Sequence, residues 1–388
     1  MDEEVRDPYQ GREQTAVKHF ILERYLERFA HIIGSHWSTL TYIDCFSGPW
    51  QAQSEGLRDT SFSIALRQLR AARDTYKQKG RRIKLRCLFL EKDSDAYARL
   101  KAFAEQVTDA EIRTINSPFE DAIPELVKFA RAGGKDSFPF VFIDPKGWSG
   151  IAIRTIEPLV RLQPGEVLIN FMTDPIRRFV ESPQESTQQS FEDLFGTTKY
   201  QDRLRGLRGQ ELEDAVIALY SESLREVGNF EYVCSAAILY PEIDKTYFNL
   251  LYASRHFRGA QVFKEAEQKA SQFMENQRAK AAARKRERQS GNLPLFAGSA
   301  TEKTRHLEGL RKLYLRQAQG SLLSAFQNEK RIEYDRAFAD CVRFPLVWER
   351  DLKGWVKEWS RQKLDVVGLG PTERTPKLGK GHYLKWKG

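Results

Sequence analysis

The chain has 388 residues, more than one ordinary hydrophobic core accommodates, so two domains are expected. Its hydrophobic content of 41% excludes global disorder, and no apolar run reaches the ~18–20 residues that a membrane helix needs. The net charge of +9 is uneven, because residues 275–388 carry 25 Lys and Arg against 13 Asp and Glu, whereas the preceding residues are slightly acidic.

The charge asymmetry and the cysteines indicate where the protein works and what it meets. A basic C-terminal part predicts contact with a polyanion such as nucleic acid, although a basic surface can also serve solubility alone. The charged first twenty residues lack the apolar stretch of a secretory signal, and the four dispersed cysteines form no CxxC pair. We therefore expect a cytoplasmic protein with reduced thiols, no membrane segment and no disulfide framework.

The first predicted element is an amphipathic helix over residues 16–34, in which apolar side chains recur every three or four positions and Gly34 serves as C-cap. Short apolar strands then alternate with amphipathic helices. The predicted strands are 40–46, 84–91, 111–116, 138–144 and 166–172. Such alternation is typical of a mainly parallel, Rossmann-like α/β sheet covered by helices on both faces. In such a sheet, ligands bind at the carboxyl ends of the strands.

Beyond residue 185 the alternation loosens. A helix over 210–228 precedes two alternating segments, 232–241 and 245–256, that are expected to pair as a hairpin finishing the sheet. A long polar helix and a Gly/Pro/Ser linker follow. The last part combines helices with two strands around a Pro/Gly/Lys-rich tip, which suggests a winged helix. The expected organisation is a Rossmann-like domain at 1–270, a basic helix and linker at 271–300, and a winged-helix-like domain at 301–388.

Polar residues follow the first and second predicted strands. A loop of small residues begins at Asp44 and includes Ser47 and Gly48. Such a loop lets backbone N–H groups approach a ligand closely, but it equally suits a simple strand-to-helix turn. The GxGxxG and GxxxxGK[ST] patterns are absent, so neither dinucleotide nor P-loop binding gains support. Glu91 closes the second strand, where an acid is well placed to accept hydrogen bonds from both hydroxyls of a ribose.

The third and fourth strand ends also carry polar residues. Asn116 is suited to hydrogen-bond an adenine, but Ser117 followed by Glu120 explains this segment equally well as a helix capping box. The fourth end, Asp144–Pro145–Lys146–Gly147–Trp148, places an acid and a rigid proline where an amino group would be held. Trp148 either stacks on a base or covers the sheet edge.

Further charged side chains are candidates for ligand or phosphate contact. Lys18 and His19 either reach the cofactor pocket from the first helix or form a surface pair. Basic residues of the long polar helix and of the presumed wing are expected to neutralise phosphates, unless they are simply solvated. The residues assigned to this group are Arg284, Lys285, Arg286, Lys377 and Lys380. The sequence shows no Ser/His/Asp set, no HExxH and no clustered metal ligands.

These pieces together resemble a known family. The chain is similar to the three-Cys-motif partner (TcmP) family, a bacterial group related to class I S-adenosylmethionine (SAM) methyltransferases, in KHFILERYL, TYIDCFSGPW, LFLEKD, FIDPKGWSGI, LINFM and FPLVWERDLKGWVKEW. The resemblance covers nearly the whole chain and implies a methyltransferase-type core with a C-terminal helical or winged extension. It implies a site made of a cofactor loop at Asp44, Phe46, Ser47 and Gly48, a ribose acid at Glu91, and an amino-group position at Asp144, Pro145, Lys146 and Gly147.

The resemblance has one further implication. It implies a partner protein with a three-cysteine motif, similar to radical-SAM-type proteins of phage origin. This sequence also departs from the methyltransferase pattern at one place, because Pro49 and Trp50 stand where many methyltransferases keep a second glycine in the cofactor loop.

Three hypotheses for the function follow. The first is a SAM-dependent methyltransferase, or a close derivative, acting on nucleic acid, in which Asp44 and Glu91 position the cofactor while Asp144 and the Pro145 carbonyl hold the target amine. The second is a non-catalytic binding module for a cysteine-motif protein or for nucleic acid, in a phage-defence setting. A nuclease-like role is a third alternative, for which the sequence offers no obvious set of metal-binding carboxylates. The substrate (DNA, RNA or protein) and the oligomeric state stay open.

Overall fold

A single large sheet forms the centre of the protein. A computed structural model describes residues 8–48, 54, 57–290 and 305–387. The strands of the central sheet are β1 (Thr39–Asp44), β2 (Lys84–Glu91), β3 (Glu111–Asn116), β4 (Ser137–Ile143), β5 (Glu166–Phe171), β6 (Tyr232–Leu239) and β7 (Thr246–Ser254). Within the described part of the chain these seven strands lie in the order β3-β2-β1-β4-β5-β7-β6. The strands from β3 to β5 in that order run parallel, and β7 is antiparallel to both β5 and β6.

Helices cover both faces of this sheet. They are α1 (Glu13–Gly34), α2 (Ser61–Gln78), α3 (Ser94–Glu105), α4 (Phe119–Arg131), α5 (Ile153–Val160), α6 (Thr173–Phe179), α7 (Glu185–Phe195), α8 (Tyr200–Leu204) and α9 (Gly209–Gly228). Because side chains alternate across a strand, Tyr42 belongs to the core shared with α1 and α2, whereas Ile43 belongs to the core shared with α4 and α5. The inner strands are therefore buried on both sides, which explains their continuous apolar sequences.

The predicted strands and helices lie close to their observed bounds. The strands predicted at 84–91 and 111–116 are β2 and β3 without change, and the predicted hairpin is the antiparallel pair of β6 and β7. The prediction that Gly34 caps α1 is wrong, because Gly34 is the last helical residue and Ser35 is the C-cap. A Cβ on Gly34 would lie 2.7 Å from the Ile83 side chain, so close packing accounts for the glycine.

One long helix crosses the predicted domain boundary. This helix, α10 (Phe257–Ser290), follows β7 and packs against α1 and β6. Residue 270, the predicted end of the first domain, falls inside α10. The buried side chains of Phe263 and Met274, on either side of that point, belong to the same apolar core as α1. Residues 291–300, which make up nearly all of the predicted Gly/Pro/Ser linker, lie outside the described residues.

The C-terminal part forms a smaller unit beside α10. Its elements are α11 (Arg305–Glu329), β8 (Arg331–Glu333), α12 (Tyr334–Val342), α13 (Glu349–Trp359), β9 (Leu364–Val367) and β10 (Tyr383–Trp386). The strands form an antiparallel sheet in the order β8-β10-β9. A buried ion pair on α10 connects the two parts, because Lys264 donates to the Phe344 carbonyl and its partner Glu267 accepts from the Trp348 indole. The apolar core is continuous across this contact.

The strand order defines the fold class. The order reverses between β1 and β4, and such a switch point is where open parallel sheets bind ligands. An antiparallel strand placed between the last two strands of the sheet, as β7 is here, is the arrangement of class I methyltransferases. The expected Rossmann-like, methyltransferase-type α/β fold is confirmed. None of the described helices combines the length and the apolar content needed to cross a bilayer.

Candidate active site at the strand ends

Polar side chains converge where the parallel strands end. The residues at these ends are Asp44 on β1, Glu91 on β2, Asn116 on β3, Asp144 directly after β4 and Asn170 on β5. All lie on the sheet face that α1 covers, because each is an even number of residues from a side chain of the same strand that packs on that face. Asp44 is in register with Phe89 and Phe142, so Glu91 and Asp144 stand two residues further along the neighbouring strands. The acids of three adjacent strands thus surround the switch point.

Asp44 is fully buried. Its Oδ2 accepts hydrogen bonds from the Ser61 hydroxyl at 2.5 Å and the Tyr42 hydroxyl at 3.3 Å, and its Oδ1 accepts one from the Phe46 N–H at 3.2 Å. Burial raises the pKa of Asp44 from 3.8 to about 6, because these hydrogen bonds only partly offset the loss of hydration and the charge of Asp144 adds to the rise. The carboxylate therefore organises the start of the loop after β1.

That loop is the predicted cofactor loop. Ser47 ties it to two strands, since its hydroxyl donates to the carbonyl of the last β1 residue at 2.9 Å and its N–H donates to a β2 carbonyl at 2.7 Å. The Phe46 ring contacts Phe119 of α4, with ring centroids 5.0 Å apart, so it lies on the sheet face opposite Asp44. Gly48 is partly buried and precedes Pro49–Trp50, which lie outside the described residues.

Glu91 and Asn116 are paired in register. The Glu91 carboxylate is buried and accepts a hydrogen bond from the Asp93 N–H at 2.7 Å. Asn116 donates from Nδ2 to the Glu91 carbonyl at 2.9 Å and to the next carbonyl at 3.1 Å, so it supports the turn after β2. The capping-box interpretation is wrong, because Pro118 is the N-cap of α4 and the Ser117 hydroxyl donates to the Pro118 carbonyl instead.

Asp144 is held from two sides. Lys18 of α1 donates from Nζ to Asp144 Oδ2 and forms an ion pair with it. Asn170 of β5 donates from Nδ2 to Asp144 Oδ1 at 2.6 Å. Both carboxylate oxygens therefore have a partner within the chain. The other amide atom, Asn170 Oδ1, is buried and has no hydrogen-bond partner among the described residues, which marks an acceptor that a ligand would satisfy.

Lys18 and His19 are both buried, so their interpretation as a surface pair is wrong. His19 Nδ1 lies 3.0 Å from the Tyr9 hydroxyl, and the two rings meet edge to face. Burial, and after it the charge of Lys18, lowers the pKa of His19 from 6.5 to about 3. The imidazole is therefore neutral at physiological pH, and Lys18 supplies the positive charge beside Asp144.

The loop after β4 uses its side chains in different ways. Pro145 is buried, whereas Lys146 is exposed. Trp148 donates from its indole N–H to the Ser190 hydroxyl at 2.9 Å and stacks on Phe191 of α7, with ring centroids 5.4 Å apart. These contacts favour the alternative in which Trp148 covers the sheet over the one in which it stacks on a base.

Two residues near the strand ends escaped the sequence analysis. Asn170 carried a usable signal, since it is a polar residue near the end of the otherwise apolar segment VLINF. Phe179, at the end of α6, is 46% exposed and its ring lies 5.9 Å from that of Trp148. The Arg178 guanidinium lies 5.9 Å from the Phe179 ring. An exposed ring beside a cation suits base stacking, but only the tertiary structure reveals the exposure.

The predicted phosphate contacts on α10 are largely used within the chain. Arg284 forms an ion pair with the buried Glu13 of α1, and Lys285 Nζ lies 3.8 Å from a carboxylate oxygen of Glu242. Arg286 is exposed. This part of the basic helix therefore anchors α10 to the main domain and leaves a smaller cationic surface than the sequence suggested.

The predicted phosphate contacts at 377 and 380, in the segment between β9 and β10, lie at the other end of α10. Lys377 Nζ pairs with Glu373 at 2.9 Å, and Lys380 is exposed. A Cβ on Gly379 would lie 2.6 Å from the ring of Phe257, the first residue of α10. Arg284 is 27 residues further along this helix, about 40 Å away. The two basic groups therefore do not form one surface.

Comparisons with known proteins find only distant structural similarities. No protein-family model matches the chain, and no curated protein matches its sequence. Among solved structures, it is similar to a DUF519 protein from Legionella pneumophila str. Philadelphia 1, with 12% identity and a TM-score of 0.34 over 61% of this chain and 84% of that chain. It is also similar to loganic acid methyltransferase with SAH, with 8% identity and a TM-score of 0.30 over 70% of this chain and 88% of that chain. Similarities this distant carry no argument about function.

Proposed function

We propose that the chain binds SAM at the ends of β1, β2 and β4 and transfers the methyl group to an amino group of a nucleic acid. The observation that carries the proposal is the convergence of Asp44, Glu91 and Asp144 on one face of the sheet at its switch point. Open parallel sheets bind ligands at this place. A cofactor that combines an adenosine with a cationic centre requires acceptors and negative charge there.

The side chains at the strand ends fit such a cofactor. Glu91 is a buried carboxylate where the ribose hydroxyls of an adenosine are expected to donate hydrogen bonds. Asn170 Oδ1 is a buried acceptor without a partner among the described residues, which suits a donating amine. Asp44 holds the loop after β1 through the Phe46 N–H. Bound SAM would supply an activated methyl group, and the chain would supply its binding and orientation.

The residues after β4 would orient the target. Asp144 and the Pro145 carbonyl are acceptors for the two hydrogens of a target amino group, and catalysis would rest on positioning and electrostatics. For this, the Asp144 carboxylate exchanges one of its bonds, to Lys18 or to Asn170, for a bond to the amine. The exposed Phe179 ring offers a surface for the target base.

Calorimetric titration of the intact chain with SAM tests the proposal. Glu91→Gln retains an acceptor for the Asp93 N–H and removes the charge, so we expect SAM affinity to fall roughly 10- to 100-fold, the loss of a hydrogen bond to a charged group. Glu105→Gln, an exposed acid at the end of α3, is the matched control and should leave affinity unchanged. Absence of binding by the intact chain, or equal losses in both variants, would overturn the proposal.

One observation favours a non-catalytic partner as the second candidate. Both oxygens of Asp144 already have partners in the chain, Lys18 and Asn170, so the carboxylate is occupied where a methyltransferase needs it. In that case the fold serves as a binding module for nucleic acid or, as the TcmP resemblance implies, for a three-cysteine-motif protein in phage defence. Asp144→Ala separates the candidates. It should abolish methyl transfer and spare nucleic-acid binding in an enzyme, and change neither binding nor any activity in a partner protein.

The nucleic-acid part of the proposal rests on the C-terminal unit. Its elements follow the order helix, strand, helix, helix, strand, strand, which is that of a winged helix. This order supports the winged-helix prediction, and the net charge of the region supports a polyanionic ligand.

A further inference from the structure

Helix α13 has two sharply different faces. Leu352, Val356 and Trp359 are buried against the C-terminal unit. Side chains three, four and seven residues apart lie on one face of a helix. On this basis, the face opposite the buried one carries Arg350, Lys353, Gly354, Lys357 and the following Arg361, all of them exposed. The acids of the helix, Glu349, Asp351 and Glu358, flank this basic stripe.

The cations of the basic stripe are mostly available. Lys353 forms an ion pair with Glu349 at 2.6 Å, and the Arg350 guanidinium lies 4.6 Å from the Trp348 ring while the side chain stays exposed. Within the residues that the structure describes, Lys357 and Arg361 form no ion pair. The stripe spans 12 residues, about 16 Å along the helix axis. It is therefore a compact cationic surface on a rigid element.

A glycine lies at the centre of the stripe. A Cβ on Gly354 would meet nothing within 4 Å, so packing inside the chain does not require glycine there. A glycine in a helix interior is destabilising relative to alanine, and it lets another molecule approach the helix backbone. Gly309 and Gly320 on α11 are open in the same way. The glycine thus supports a binding face only in combination with the four cations around it.

We propose that α13 binds duplex DNA by lying in its major groove, with the basic stripe facing the groove. This inference deepens the nucleic-acid part of the proposed function by naming the form of nucleic acid. The major groove of B-form DNA, about 12 Å wide, admits an α-helix, whereas the deep and narrow major groove of A-form RNA does not. Arg350, Lys357 and Arg361 contact phosphates or guanine edges, and Gly354 lets the helix backbone sit close to the bases.

The stripe is separate from the strand ends. Helices α1 and α10 pack antiparallel, because Arg28 pairs with Glu265 and Phe20 stacks on Phe273, so Lys18 lies level with about residue 275. The start of α13 lies beside Gln261, which donates to Glu349 at 2.8 Å. The two places are thus about 20 Å apart along α10. Substitutions in the stripe leave the SAM site untouched, and the two sites can be tested independently.

Fluorescence anisotropy tests the inference with the full chain and about two helical turns of duplex DNA, compared with duplex RNA and single-stranded DNA of the same sequence. We expect DNA duplex to bind at least about tenfold more tightly than either alternative, and Lys357→Glu to weaken it about tenfold. The matched control is Lys312→Glu on α11, the same charge change on an exposed lysine of the neighbouring helix. It should change affinity less than about twofold.

Two glycine substitutions test whether misfolding explains a loss of DNA affinity. Gly354→Gln adds a good helix former, so the melting temperature should not fall while DNA affinity drops. Gly309→Gln should leave affinity unchanged. Equal binding of DNA and RNA duplexes, no duplex binding, or equal losses in stripe and control variants would overturn the inference. Calorimetry with SAM on the same variants distinguishes the two proposals. SAM binding without DNA binding refutes only the role of α13, whereas DNA binding without SAM binding refutes only the cofactor site.

Discussion

Replacing Asp44 with asparagine measures how much the buried carboxylate at the end of β1 lowers the free energy of unfolding as the pH rises. Burial raises its pKa from 3.8 to about 6, so between these values the native protein holds a proton that the unfolded chain has released. The free energy of unfolding therefore falls as the pH rises through this range and is level above it. Asparagine does not titrate. It keeps an acceptor for the Phe46 N–H, and its Nδ2 can donate to the hydroxyls of Ser61 and Tyr42.

The magnitude follows from the two pKa values of Asp44. Their difference corresponds to about 3 kcal/mol over the whole pH range, and to about 1 kcal/mol between pH 5 and pH 7.5. Burial also raises the pKa values of Glu166 and Glu267. These carboxyl groups contribute equally to both proteins and cancel in the comparison.

Urea unfolding of both proteins at pH 5 and pH 7.5 provides the assay. The stability of Asp44→Asn relative to the natural chain should improve by about 1 kcal/mol from the lower to the higher pH. If the difference between the two proteins is the same at both pH values, Asp44 has an ordinary pKa and the reasoning from burial is refuted.

Three other predictions concern stability and reactivity. Lys18→Met should lower the free energy of unfolding in urea by about 2 kcal/mol, because it leaves Asp144 without its cation. Adding Asp144→Asn should recover at least half of this loss. If nothing is recovered, the ion pair is not the cause. Gly259→Ala should lower the free energy of unfolding by about 1–3 kcal/mol, because its Cβ would overlap buried side chains. Gly320→Ala should stabilise the protein, because its Cβ would meet nothing within 4 Å. Similar effects of the two substitutions would contradict the packing argument. Burial raises the pKa values of the thiols, so a thiol reagent should react rapidly only after unfolding, and fast labelling of the native chain would refute their burial. The thiols concerned are Cys45, Cys87, Cys234 and Cys341.

The sequence by itself determined the central sheet and the edge at which the site lies. Apolar runs that are buried on both faces are local signals, and β2 matches its predicted bounds for that reason. The carboxyl ends of parallel strands meet at one edge, so the acids that end these runs were expected to lie together. Asp44, Glu91 and Asp144 do so.

The tertiary structure alone decided which partner each of these side chains has. Lys18 and Asp144 are 126 residues apart, and their ion pair depends on the way α1 packs over the sheet. The same holds for Arg284, whose partner Glu13 is 271 residues away and removes it from the cationic surface. Periodicity along one segment indicates which face of that segment is buried. It does not indicate which element covers that face, because the packing of distant segments sets the contacts between side chains.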